Sequence, residues 1–268
     1  MTGGVPLFGH PITRRIWMDV DNLILVYVGS AAEFPLVPEN DWLFYTGKLP
    51  KAPMERFIDT VGFNHRVFTS TTDEVRRMAT QIRKIHTNLE VQRSAEEGSP
   101  HRMSNAAFKQ VGAMLIDYGI RGFEYLHGRA MTSDEKELYY SDELEFLTMM
   151  GIENLAPTYA AFTEERATQL RDVLVRNDLT DAFFASYREN IGRFKYMVLR
   201  FCMAEMIPAE LAAKLGIRSS RLFRLAYRAY PVLRCRLTAM AARFLFLTPE
   251  VRAALRRMEA INATLQAV

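Results

Sequence analysis

Cysteine and histidine are scarce in this chain of 268 residues, at two and five. Cys202 and Cys235 lie far apart and form no Cys-x-x-Cys pair. That spacing argues against a structural zinc site, and it excludes the Cys-x-x-Cys-His run that attaches haem covalently. Two unpaired thiols fit a reducing compartment, so a cytoplasmic location is expected. The stretch Met1 to Pro6 has no basic region leading into an apolar core, and no signal peptide is expected. The longest apolar runs, Leu23 to Val28 and 243–247, fall far short of the roughly 20 residues that cross a bilayer. Also lacking are a Ser/His/Asp nucleophile pattern, a glycine-rich phosphate loop, internal repeats and any useful strand alternation. Glycine and proline thin out after residue 60, and nothing in the composition signals disorder.

What is present is helical periodicity. With 49% apolar residues the chain can bury one large core. Asp19 or Asp21 can cap a segment running from Leu23 to Ala32, ended near Pro35. Prolines 35, 38, 50 and 53 make 35–53 irregular, and Pro53 then opens a helix. Thr72 with Asp73 and Glu74 starts the next, whose stripe is Val75, Met78, Ile82, Ile85 and Leu89; the polar stretch 90–102 reads as a loop. Ser104 and Asn105 cap a segment to His127, stopped by Gly128. Thr132 to Glu135 offers a capping box for a helix ending at Gly151. Helical patterns follow at about 162–176, 180–206, 208–215, 219–229, 231–247 and 249–266. The expected fold is all-α, a single multi-helix domain over 1–268.

Charge is unevenly placed. From Ile191 to Arg257 there are fourteen Lys/Arg against Glu205, Glu210 and Glu250, while the remainder holds 20 basic and 28 acidic residues. Nucleic acid is not expected, because no recognised module and no basic surface interleaved with exposed aromatics accompanies the asymmetry. The basic helical part, 191–268, reads as a solvated or intramolecularly paired face; contact with an anionic membrane or an acidic partner stays open.

Arg83-Lys84-Ile85-His86 closes the 72–89 stripe and is the most informative stretch. A neutral imidazole beside an apolar helix interface suits an axial haem ligand, since one nitrogen can bind iron while the other N–H fixes the tautomer. The commoner alternative is a buried histidine bonded to a carbonyl. Arg83 shares its side and can meet a propionate or a neighbouring carboxylate. Arg56 and Thr60 share a helical face by their spacing, where a cation and a hydroxyl can steady a developing charge, or serve as an ion pair and a back-bonded threonine. Glu39, in the proline-rich loop, is a candidate acid/base. His10, His65, His101 and His127 look peripheral. Asp117, Glu124, Glu135 and Glu143 form no repeated Glu-x-x-His pattern, which argues against a di-iron bundle.

Several segments in sequence resemble the family of rubber oxygenases (latex-clearing proteins) and the membrane-bound oxygenase of mycophenolic acid biosynthesis. They are Trp17-Met18-Asp19-Val20-Asp21 with Gly29-Ser30-Ala31-Ala32, Arg56-x-x-x-Thr60, Arg83-x-x-His86, Glu135 to Tyr140, and Met150-Gly151-Ile152-x-x-Leu155. Order and rough spacing agree over about 14–175. The resemblance implies helices enclosing a hydrophobic pocket for haem b, with His86 as proximal ligand to the iron, Arg83 near the cofactor, and Arg56 and Thr60 on the distal side. It further implies dioxygen and a hydrophobic, isoprenoid or lipid-like substrate (a polyisoprenoid in the rubber oxygenases), cleaved at a C=C bond to carbonyl products. A catalytic glutamate precedes that arginine in rubber oxygenases, and Glu39 is the nearest match. Where they have a lysine before the threonine, able to cap the iron, this chain has Asp59, so lysine capping is not expected. The rival readings are a haem peroxidase or monooxygenase, and a non-catalytic helical protein at an anionic membrane or acidic partner.

Overall fold

The computed structural model describes residues 8, 10–40, 53–97 and 104–266, except the side chains of 53–57, 61, 65, 87–97, 245–246 and 261–266. Among the described residues every regular element is helical, as the periodicity predicts. In chain order they are α1 (Pro11–Met18), α2 (Val20–Glu33), α3 (Pro53–Thr69), α4 (Thr72–Glu97), α5 (Asn105–His127), α6 (Ser133–Met149) and α7 (Tyr159–Thr168). Then come α8 (Asp178–Ile191), α9 (Arg193–Met206), α10 (Ala209–Leu215), α11 (Arg221–Leu233), α12 (Arg236–Phe246) and α13 (Pro249–Gln266). No helix is long and apolar enough to cross a membrane among these residues.

Helix α2 is the central mast. The Asp19 carboxylate caps it by accepting from the Asp21 and Asn22 N–H groups at 2.9 and 3.4 Å. Eleven of its fourteen residues are buried, so it is covered on nearly all sides, by α5, α9, α1 and α13. Close approach to α5 depends on two glycines. A Cβ at Gly29 would overlap the Tyr118 ring, and one at Gly122 would overlap Asn22 Oδ1.

The caps read from the sequence recur in the structure. Ser104 accepts from Ala107 N–H at the start of α5, and Gly128, at φ +61°, ends it. Thr132 and Glu135 form the reciprocal box of α6.

Three expectations need correction. Helix α4 continues to Glu97 rather than ending in a loop after Leu89. The 180–206 pattern is two helices, because Gly192 sits at φ +80° and turns the chain between α8 and α9. The 162–176 pattern starts earlier, at Tyr159 behind its Thr158 cap, and finishes in a π turn at Gln169–Val173. In α4 the buried edge also rotates from the expected stripe. Val75 and Ala79 are fully buried, Ile82 and His86 half-buried, and Ile85 faces solvent.

Part of the basic C-terminal third is paired inward. Arg234 clasps Asp19 and Asp21, and Arg243 clasps Asp21 and Glu259, which ties α12 and the α11–α12 joint to the start of α2. The far end of α2 is held by a buried ion pair. The Arg166 guanidinium meets both Glu33 oxygens at 2.5 Å, donates to Gln169 at 2.9 Å and reaches Asp117 at 3.1 Å, while Tyr118 Oη donates to Glu33 at 2.7 Å. Burial alone would lower the Arg166 pKa, but Glu33 and Asp117 raise it above the ordinary arginine value.

Removing one partner of such a pair leaves a buried, uncompensated charge. Arg166→Met is expected to cost about 3–5 kcal/mol in a denaturant titration, and adding Glu33→Leu to recover a large part of the loss. An unchanged midpoint in the single variant would show that the pair does not hold α2.

Candidate active site

A cavity of about 280 Å³ opens between α2, α3, α5, α6 and α8. Its wall is overwhelmingly apolar, with Phe63, Val67, Phe68, Phe108, Phe146 and Phe183 among the lining residues. A few polar groups interrupt it: Thr60, Asn64, Ser30, Tyr27, Tyr187 and Glu143. An apolar concavity with sparse convergent polar groups is the usual form of a small-molecule site.

Each polar group is set by local geometry. His10 at the cap of α1, and Thr13 and Trp17 along one side of it, all meet α6. His10 Nδ1 and Thr13 Oγ1 bond Asp142 at 2.8 and 2.6 Å, and the Trp17 indole N–H donates to Glu143 Oε1 at 2.5 Å. Asn64 donates to the Trp17 carbonyl at 3.2 Å, fastening α3 to the same corner. Glu143 is the one carboxyl lining this cavity among the described residues. Burial pushes its pKa up to about 8, partly opposed by the indole bond and aided by Asp142. It is therefore mainly a neutral acid at pH 7, able to donate a proton into an apolar space.

Tyr27 lines this cavity and also a second one of about 350 Å³, bounded by α2, α5, α9, α11, α12 and α13. Its hydroxyl bonds Tyr187 Oη at 2.5 Å, so the pair stands where the two cavities share a wall. The second cavity is still more apolar, with Asp21, Lys195 and Arg243 among its lining.

The expected site residues are placed as follows. Thr60, on the outward part of α3, lines the first cavity. Arg56 stands one turn before it on α3, and its side chain lies outside the described residues. His86 and Arg83 both meet Phe108, which lines the cavity: the imidazole edge-on with centroids 5.8 Å apart, the guanidinium 4.5 Å from the ring centre. Neither is itself a lining residue. Glu39 is half-buried in the turn Pro38–Asn40 and does not line the cavity; its Oε2 has no hydrogen-bond partner among the described residues. His127 bonds the Phe123 carbonyl at 3.0 Å, and His10 is spent on Asp142. His65 and His101 lie outside the described side chains.

His86 Nδ1 lies 2.9 Å from the Ile82 carbonyl. A carbonyl can only accept, so in this contact the neutral ring carries its hydrogen on Nδ1 and its lone pair on Nε2. No group of three or more His, Cys, Asp or Glu able to hold a metal occurs among the described residues. A single imidazole in this tautomer, beside an arginine and an aromatic ring, is the residue that would hold the metal of a cofactor here.

The family model of the ER-bound oxygenase mpaB/B'/rubber oxygenase catalytic domain matches residues 43–235. The chain belongs to this family. The match spans α3 to α11 and so reaches further than the motifs over 14–175, while it starts after α1, α2 and Glu39. No curated protein and no solved structure matches the chain with significance. The family is one of oxygenases, which supports an enzymatic reading of the cavity.

Glu143 is the residue that spacing arguments missed. It entered the sequence reading only as an acid outside any Glu-x-x-His repeat. Its signal was its position on the buried side of α6, with Tyr139, Tyr140 and Leu147. A carboxyl neutral in the fold to about pH 8 and ionised when unfolded makes stability fall as pH rises from about 5 to 8. Relative to Glu143→Gln, the wild type should lose at most about 1.4 kcal/mol per pH unit in that window, levelling off above it. Urea titrations of both proteins at several pH values measure the difference; parallel curves would refute a buried neutral acid.

Proposed function

We propose that the chain is a haem-b-dependent oxygenase acting on a hydrophobic, isoprenoid or lipid-like substrate, with oxidative cleavage of a C=C bond as its reaction. The observation that carries this reading is an aromatic-walled cavity with His86 packed against its Phe108, in a chain of this oxygenase family. His86 would hold the haem iron, and Arg83 would meet a propionate. The haem would supply dioxygen activation. Cleaving an alkene into two carbonyls uses both atoms of one dioxygen, so the net reaction consumes no external reductant.

The protein's own contribution is positional and protic. The cavity wall excludes water and orients an apolar chain by shape. Arg56 and Thr60 would act on the distal side, Thr60 from its place in the cavity lining. Two carboxyls can serve as acid/base, Glu39 and Glu143. Glu143 is favoured because it faces the cavity and holds its proton at neutral pH, while the Trp17 N–H fixes its orientation.

The test begins with colour. Protein loaded with haem should show a Soret band, and His86→Ala should lose it while keeping its far-ultraviolet circular dichroism. Glu143→Gln should retain the band and lower turnover of an unsaturated apolar substrate by about 10²–10⁴-fold. Protein that folds but takes up no haem would remove this reading in favour of the non-catalytic one. Turnover with peroxide but none with dioxygen would move it to a peroxidase.

A further inference from the structure

Helices α11 and α12 carry apolar side chains that the rest of the protein does not cover. None of the thirteen residues of α11 is fully buried. Leu222, Leu225, Val232 and Leu233 recur at helical spacing along one side and are 63–86% exposed. On α12, Leu237, Met240 and Phe244 do the same, and Phe244 is 70% exposed. Only Arg234 and Cys235 separate the two helices. Single exposed leucines are unremarkable, but seven large apolar groups on two consecutive helices form a patch that needs an occupant.

Charge selects that occupant. No Asp or Glu occurs between Glu210 and Glu250, a stretch holding Lys214 and seven arginines. Arg221 and Arg228 lie along α11 beside the exposed leucines, with Arg224 between them paired to Glu205 at 3.0 Å, and Arg236 stands likewise at the start of α12; all four are exposed. Apolar side chains flanked by exposed arginines are the arrangement of a helix lying in a membrane interface. There the apolar groups enter the acyl boundary and guanidinium groups meet lipid phosphates. A second copy fits poorly, because a two-fold contact through this patch would set Arg221, Arg228 and Arg236 against their own copies, while the nearby Glu205 already pairs with Arg224.

We infer that α11 and α12 form a docking surface for an anionic phospholipid bilayer. The opposite sides of both helices wall the second cavity, through Phe223, Tyr227 and Tyr230 of α11 and Ala242 and Arg243 of α12. A bilayer on the outer side would therefore lie one helix away from an apolar space inside. Helix α11 lies within the family match and α12 beyond it.

The full chain is tested by flotation with vesicles of phosphatidylcholine alone or with about a third phosphatidylserine. It should bind the anionic vesicles, more weakly as salt rises, and bind neutral ones poorly. The triple variant Leu225→Ser/Leu237→Ser/Phe244→Ser should lose most binding even at low salt. The variant Arg221→Gln/Arg228→Gln/Arg236→Gln should lose about 100-fold toward anionic vesicles, at roughly fivefold per arginine. All six positions are exposed, and circular dichroism checks that each variant folds. Absent or equal binding to both vesicles would overturn the inference. So would unaltered binding in either variant, or concentration-dependent self-association that the leucine and phenylalanine changes abolish without any vesicle binding.

Discussion

The contact between Arg166 and Glu33 fixes the geometry on which both cavities depend. Glu33 ends α2, and α2 supplies a wall to each cavity. A fully buried carboxylate there is tolerable only because a guanidinium meets both its oxygens and a tyrosine hydroxyl adds a third bond. The opposite end of α2 is held through Asp19 and Asp21 by Arg234 and Arg243. One helix is thereby clamped at both ends by arginines reaching from distant parts of the chain. Between the clamps Tyr27 can stand at the boundary of two apolar spaces with its hydroxyl on Tyr187.

The same core holds a second buried glutamate under different conditions. Glu143 receives an indole N–H, a neutral donor, and faces an apolar cavity rather than a guanidinium. Desolvation then governs, and the carboxyl keeps its proton at pH values where an exposed glutamate has lost it. Two acids of one residue type are thus an ion-paired anchor and a buried neutral carboxyl according to what each meets. Motif spacing cannot make that distinction, because the partners Arg166 and Trp17 come from more than a hundred residues away in each case.

Much of the helical architecture was legible because helix ends are written locally. Asp19, Ser104, Thr132 with Glu135, and Gly128 satisfy end groups with side chains or a left-handed turn, and each acts where the sequence puts it. The break at Gly192 was legible in principle but hidden by apolar periodicity continuing on both sides. The run of α4 to Glu97 went the other way, since a polar stretch resembles a loop when nothing local stops it. The rotation of the α4 edge from Ile85 to Ala79 has a tertiary cause. Alanine supplies little periodic signal, yet its small side chain sits fully buried in α4. For the site, residue type singled out His86 and Thr60 as candidates, whereas the contact of His86 with Phe108 and the place of Thr60 in the cavity lining needed long-range packing.

The basic C-terminal third shows where composition stops being informative. Its excess of arginine led to a paired or solvated face, and both occur, because different arginines meet different surroundings. Arg234 and Arg243 face the acids at the start of α2, while Arg221, Arg228 and Arg236 face outward. On α11 the division extends to the apolar residues. Phe223, Tyr227 and Tyr230 turn inward, where Tyr230 Oη reaches Asp21 at 3.1 Å, the Tyr227 carbonyl accepts from Tyr125, and the Tyr125 and Tyr227 rings stack at 4.1 Å. The leucines turn outward. An aromatic ring with a hydroxyl gains both packing and a hydrogen bond from that inner wall, whereas a leucine gains only packing. The inward side of α11 is therefore its aromatic side, anchored through Tyr230 Oη on Asp21, and the leucine side is left exposed.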